Sequence, residues 1–249
     1  MEPAVSLLEF SSIAKGIEAG DAMIKRAPLD VIRAGTVHPG KYLVLIGGLT
    51  ADVEEAMQAG REVAGQSLVD VVFLPDVHPD VVASIGGARR EDAGEALGVI
   101  ETPTVAATID AADAGVKGAR VTIRDLRLAD DLGGKGYVLF GGEVAEVEAA
   151  VGYGVARTAA SGEVTHVVIS QLHDEMRENL TADPRFAQRA RDVEKPVATE
   201  SGLPVTFAPR GRPLPGSGGG DRDAGAGSVH ETVTPRPRRR PTSSRKRKT

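Results

Sequence analysis

Among its 249 residues the chain has no cysteine and no tryptophan, and only three tyrosines and five phenylalanines. Without thiols it has no disulfide framework, no thiolate nucleophile and no thiolate-held cluster. With so few aromatics, its cores must be built from Ala, Val, Ile and Leu, and thirty glycines let backbones approach closely. No apolar run reaches the length needed to span a bilayer. Met1-Glu2-Pro3 has no basic region leading into an apolar one, so it does not read as a secretory signal. The expectation is a soluble intracellular protein.

Catalytic patterns are equally scarce. The five histidines are His38, His78, His166, His173 and His230. They form no Ser-His-Asp order and no metal-ligand spacing, and no phosphate loop is present. The reading is therefore not an enzyme.

Charge divides the chain in two. Residues 1–182 hold 15 Lys/Arg against 28 Asp/Glu, a net of −13, while residues 183–249 hold 15 against 7, a net of +8. The last fourteen residues carry eight basic side chains, in Arg236-Pro237-Arg238-Arg239-Arg240 and Arg245-Lys246-Arg247-Lys248. With Pro213 to Gly220 as a flexible linker, residues 183–249 are expected to be a mostly disordered basic tail, with one short helix over Pro184 to Asp192. It lacks the interleaved aromatics of a base-stacking platform.

Within the acidic body a repeat is visible. Leu8-Glu9 recurs at a spacing of 92 as Ile100-Glu101, and Ile17-Glu18-Ala19-Gly20-Asp21-Ala22 recurs as Ile109-Asp110-Ala111-Ala112-Asp113-Ala114. Lys25 matches Lys117. Two residues are then inserted, after which Gly40-Lys41 matches Gly134-Lys135 and Gly47-Gly48 matches Gly141-Gly142. Copy boundaries are drawn at 1–91 and 92–182.

Each copy reads as strand, helix, hairpin, helix, strand. Ala4 to Phe10 and Ala96 to Glu101 are strands. Ser11 or Ser12 caps a helix whose apolar stripe is Ile13, Ile17 and Ile24, with Gly16 and Gly20 between them. In the second copy Thr102 is the expected cap and Pro103 the first helical residue. The hairpins run Val31 to Ile46 through Pro39-Gly40, and Val121 to Phe140 through Gly133-Gly134. A second helix begins near Thr50 and near Glu143, and Val69 to Leu74 and Val164 to Ile169 are buried strands. The order β-α-β-β-α-β is that of an α/β (α+β) ferredoxin-like fold, twice over. About 85 residues per copy leave sheet and helix surface uncovered, which argues for association with a neighbour.

These motifs resemble the domain of bacterial microcompartment shell proteins, and the pair resembles the tandem form, closest to the subgroup typified by the propanediol-utilisation shell trimer. The stretches that carry the likeness are Ala96 to Thr102, Ala111 to Lys117, Gly134-Lys135 through Gly141-Gly142 to Val144, and in the first copy Leu8-Glu9, Glu18 to Lys25 and His38 to Lys41. The resemblance implies a structural shell protein: three chains form a pseudohexameric facet tile with a central pore, in the shell of a cytoplasmic compartment, beside other shell proteins. It implies that Lys25 and Lys117, with Asp21 and Asp113 four residues earlier, lie at tile edges. It also implies that Val37, His38, Pro39, Gly40, Leu132, Gly133 and Gly134 line the pore.

A cysteine precedes the Pro-Gly-Lys in the iron–sulfur member of that subgroup, whereas this chain has His38, so no cofactor is expected. Three His38 imidazoles can line an opening whose charge rises on acidification, or hold a metal. The tail is available to acidic protein surfaces, encapsulated enzymes among them. On the fold alone, a tandem metabolite-binding regulator is the alternative.

Overall fold

Strands form where the apolar runs lie. The computed structural model describes residues 4–90, 94–182 and Phe186; the basic tail, and the helix expected over Pro184 to Asp192 apart from Phe186, fall outside the described residues. In the first copy, β1 (Ala4–Phe10) pairs antiparallel with both β3 (Lys41–Gly48) and β4 (Leu68–Leu74). Outside β3 lies β2 (Val31–Val37), giving the order β2-β3-β1-β4. The second copy repeats this with β5 (Ala96–Thr102), β6 (Thr122–Leu128), β7 (Gly136–Gly142) and β8 (Thr165–Ile169), in the order β6-β7-β5-β8.

Register makes the equivalence residue by residue. Ala4 faces Gly48 as Ala96 faces Gly142, and Leu7 faces Val72 as Val99 faces Val167. Two helices pack against each other in each copy, α1 (Ile13–Arg26) with α2 (Thr50–Ala64) and α4 (Val105–Gly118) with α5 (Val144–Thr158). Leu8, Phe10, Met23, Val44, Ile46 and Val53 form the first core, and Ile100, Ile109, Ile123, Val138, Phe140 and Val147 anchor the second. Phenylalanine supplies the largest fully buried side chains, Phe10 and Phe140.

Sequence and structure differ in the helices at three places, and in one strand: β8, read from sequence as a buried strand, is largely exposed. Each copy ends on a further helix, α3 (Pro79–Ile85) and α6 (Asp174–Thr181). The histidines before them are N-caps: His78 Nδ1 accepts from the Asp80 N–H and His173 Nδ1 from the Glu175 N–H. This accounts for their matching positions without any chemistry. At α4 the cap is Thr104, whose hydroxyl accepts from the Ala107 N–H, rather than Thr102, which ends β5, and Pro103 precedes the cap instead of opening the helix. Ser12 does the same for α1.

The third difference concerns the stripe on α1. Its buried face is Gly16, Ala19, Gly20 and Met23, while Ile13, Ile17 and Ile24 are exposed. The helix meets the sheet through its small residues: a Cβ at Gly16 would lie 2.5 Å from the Tyr42 ring. That close approach turns the isoleucines outward.

Candidate assembly seam and loop cluster

The isoleucines of α1 have counterparts on α4, namely Val105, Ile109 and Val116, and those are buried. The contrast is sharpest at the middle position, where Ile17 is 55% exposed and Ile109 is 0%. What buries the second set is the first copy, since α4 packs on β1, β4 and α3, and α3 packs on β6. Leu7, Val72, Leu74, Val77 and Val81 form one cluster with Val105, Ile109 and Val116. An apolar seam therefore joins the halves within one chain, stabilised chiefly by the area it removes from water.

Polar groups fix the register of the seam. Glu9 is fully buried; its Oε1 accepts from Lys41 Nζ at 2.5 Å and its Oε2 from the Val105 N–H at 2.9 Å. One carboxylate thus neutralises a lysine and satisfies a first-turn N–H of α4 that has no acceptor within the helix. Beside it the Thr104 hydroxyl donates to Asp70 at 2.5 Å. Farther along α4, Asp113 accepts the His78 N–H at 2.8 Å and pairs with Lys117 at 2.7 Å. Lys117 also donates to the Asp76 carbonyl. Asp113 is consequently enclosed within the chain, where it holds Lys117, whereas Asp21 and Lys25 pair on an exposed face. One turn before Asp113 on α4, burial pushes the Asp110 carboxyl above its usual range against the opposing pull of the Arg157 guanidinium, which it meets at 2.9 and 3.1 Å.

The other side of the seam has its own counterpart, in the second copy. Register equates Val72 with Val167 and Leu74 with Ile169, and the capping histidines equate Val81 with Met176. Val167, Ile169 and Met176 are exposed. Glu101, which matches Glu9, pairs with Lys135 at 2.7 Å, and that bond and charge raise the Lys135 ammonium above the usual lysine range. The chain thus shows a knob on its first half and a socket on its second, neither covered among the described residues.

The loops singled out from sequence come together at one place. His38 to Gly40, all exposed, join β2 to β3, with the Gly40 N–H donating to the carbonyl of Val37, the last residue of β2, at 2.9 Å; the His38–Pro39 peptide is cis. Residues 129–135 join β6 to β7, and the Leu132 N–H donates to the Ala129 carbonyl at 3.0 Å. The loops touch: a Cβ at Gly134, where φ is +84°, would lie 3.1 Å from Pro39 Cδ and 3.2 Å from Lys41 Nζ. The positive φ favours glycine there, and a side chain would also press on the first loop. Exposed Asp130 and Asp131, at the tip of the second loop, were missed by the sequence reading.

Among the described residues no group of three His, Asp or Glu side chains is placed to hold a metal ion, and no helix is long and apolar enough to cross a membrane. A cysteine-ligated iron–sulfur cluster does not fit, because the donor set at the loop is imidazole and backbone.

Comparison with known proteins covers most of the body. The BMC domain family profile matches twice, at residues 4–77 and 96–172. The bacterial microcompartment shell protein PduT of Citrobacter freundii is 39% identical over 180 residues, 71% of this chain and 96% of that protein. The carboxysome shell protein CcmK2 of Synechococcus elongatus is 39% identical over 84 residues, 32% of this chain and 80% of its own length, so one copy matches most of it. The crystal structure of a microcompartment protein from Desulfitobacterium hafniense superposes with a TM-score of 0.63 at 40% identity, covering 72% of this chain and 99% of that one.

Proposed function

The chain belongs to the BMC domain family, in tandem form, and from that premise we propose that it is a structural tile of a bacterial microcompartment shell, built from three copies. The observation that carries this reading is the unpaired seam. Val105, Ile109 and Val116 bury themselves on the first half of their own chain, while the equivalent Ile13, Ile17 and Ile24 stay exposed, as do Val167, Ile169 and Met176. Knob and socket lie on different halves, so they cannot satisfy each other by the contact the chain already makes. A second copy satisfies one, a third closes the ring, and the contact is heterologous.

In such a ring the two loops alternate about the axis. Val37, His38, Pro39 and Gly40 from three copies, and Leu132, Gly133 and Gly134 from the same three, then surround an opening for small molecules. Lys25 and Lys117, held by Asp21 and Asp113, face neighbouring tiles at the rim, where other shell proteins abut. The tile works by packing and carries no reaction of its own. Its place is the shell of a compartment within the bacterial cell.

Sedimentation and native mass measurements are expected to give three chains per particle, and electron microscopy a hexagonal disc that forms sheets. A monomer or dimer, above all one that binds a small metabolite, would overturn the tile.

His38 has its own test. After incubation with zinc and desalting, the protein is expected to retain no metal at one ion per three chains, and His38→Ala to behave identically. Retained zinc that disappears in His38→Ala would instead make the axis a metal site.

A further inference from the structure

Glu101 and Lys135 raise a question that the apolar seam does not answer. Their counterparts Glu9 and Lys41 do a definite job, because Glu9 spans from the lysine to the backbone N–H of the first residue of α4. In the second half the lysine bond is made and the other carboxylate oxygen, Oε2, has no hydrogen-bond partner among the described residues. The group that would complete it by analogy is the N–H of Ile13, the first residue of α1, which is equally unpartnered there and follows a Ser12 cap as Val105 follows Thr104. Within one chain Glu101 and Ile13 do not meet as Glu9 and Val105 do, because α4 packs on β1 whereas α1 does not pack on β5.

We infer that the Glu101–Lys135 pair is the docking site for the N-terminus of α1 of a second copy of this chain, Glu101 Oε2 accepting the N–H of Ile13 of that copy. The inference rests on the three-copy tile. It adds the polar contact that sets the tile's register. The equivalent pair, Glu9 and Lys41, already binds the equivalent group, the Val105 N–H, so the geometry is one the repeat makes once within the chain. Charge agrees with it: a carboxylate at a helix start is stabilised by the helix dipole, and Lys135 holds that carboxylate in place beforehand.

The two kinds of seam then differ in one respect. Where the internal seam sets Thr104 against the Asp70 carboxylate, the equivalent pair between copies is Ser12 and Thr165, two hydroxyls. The seam between copies has lost one charged acceptor, and Glu101 carries correspondingly more of its polar recognition.

The test measures how association depends on concentration in the full chain. Losing a charge-assisted hydrogen bond in a closed seam weakens each seam roughly tenfold. With three seams the dissociation constant rises about a thousandfold, and the midpoint concentration, which follows its square root, roughly thirtyfold. Glu101→Ala is expected to show that shift with an unchanged circular dichroism spectrum, Glu101→Gln a smaller one, and Glu148→Ala on the exposed side of α5 none.

Register is read separately. In this cysteine-free chain, Ser12→Cys together with Thr165→Cys is expected to give covalent trimers with a short bis-maleimide. A wild-type chain that never forms trimers overturns the underlying tile. Trimers that assemble as tightly in Glu101→Ala as in wild type, or that fail to cross-link through Ser12→Cys and Thr165→Cys, overturn the docking site and leave the tile standing.

Discussion

Ile17→Asp is expected to abolish assembly and leave a folded monomer, while Ile109→Asp, the same change at the equivalent position, is expected to prevent folding. The two side chains occupy matching places on α1 and α4, yet one is 55% exposed in the single chain and the other 0%. An aspartate at 17 faces water in the monomer and costs the chain little beyond a small loss of helix propensity. In a closed ring it would place three carboxylates against Val167, Ile169 and Met176 of neighbouring copies, with no cation provided for them. At 109 the carboxylate falls among Val105, Val116, Leu7 and Val72 within the chain. An unpaired buried charge there costs several kcal/mol, comparable with the whole stability of a small domain. Sedimentation velocity and thermal denaturation check both. A trimeric Ile17→Asp would show that α1 faces solvent in the particle, and a well-folded Ile109→Asp would show that the internal seam is dispensable.

That pair of substitutions also marks how far the sequence could be read. Strand positions were legible because the apolar runs are short and bounded by turns, and the β-α-β-β-α-β order followed from the repeat. The stripe Ile13, Ile17, Ile24 was legible as apolar, but its direction was not. Period counting assumes that apolar residues face inward, whereas α1 approaches its sheet through Gly16 and Gly20. In an assembling protein the apolar face can be the outer one, and only burial tells the two apart. The short helices α3 and α6 went unread because seven and eight residues make only about two turns, too few for an apolar stripe to stand out as periodic, although His78-Pro79-Asp80 and His173-Asp174-Glu175 carry the cap and first-turn chemistry of a helix start.

The polar half of the seam lay in plain sight within the repeat. Glu9 and Glu101 match at one offset and Lys41 and Lys135 at another, and the sequence showed both. It did not show that the strand pairing brings each glutamate to its lysine, since β1 and β3 are separated by a whole helix and strand. Nor could it show that one glutamate is enclosed and the other waits at the surface.

That difference yields the second large effect. In a monomeric Ile17→Asp background, Glu9→Ala is expected to lower folding stability by about 3 kcal/mol, the lower end of what breaking a buried ion pair costs. Two groups lose their partner at once. Lys41, whose side chain is 21% exposed, keeps its charge near a closed interior, and the Val105 N–H is left without an acceptor. The lysine's long stem lets its ammonium reach water, which is why the lower end of the range applies. Glu101→Ala in the same background removes the matching carboxylate from a solvated pair and is expected to leave the urea midpoint within experimental scatter. Glu9→Gln, which keeps an oxygen for the Val105 N–H but no charge for Lys41, should fall between wild type and Glu9→Ala. Urea titrations followed by circular dichroism measure all three. Equal losses in Glu9→Ala and Glu101→Ala would mean that the copies use their glutamates alike within the single chain. The expected inequality instead makes one residue of the repeat a folding contact and its twin an assembly contact, from the same local chemistry and for no reason other than which surface already has a neighbour.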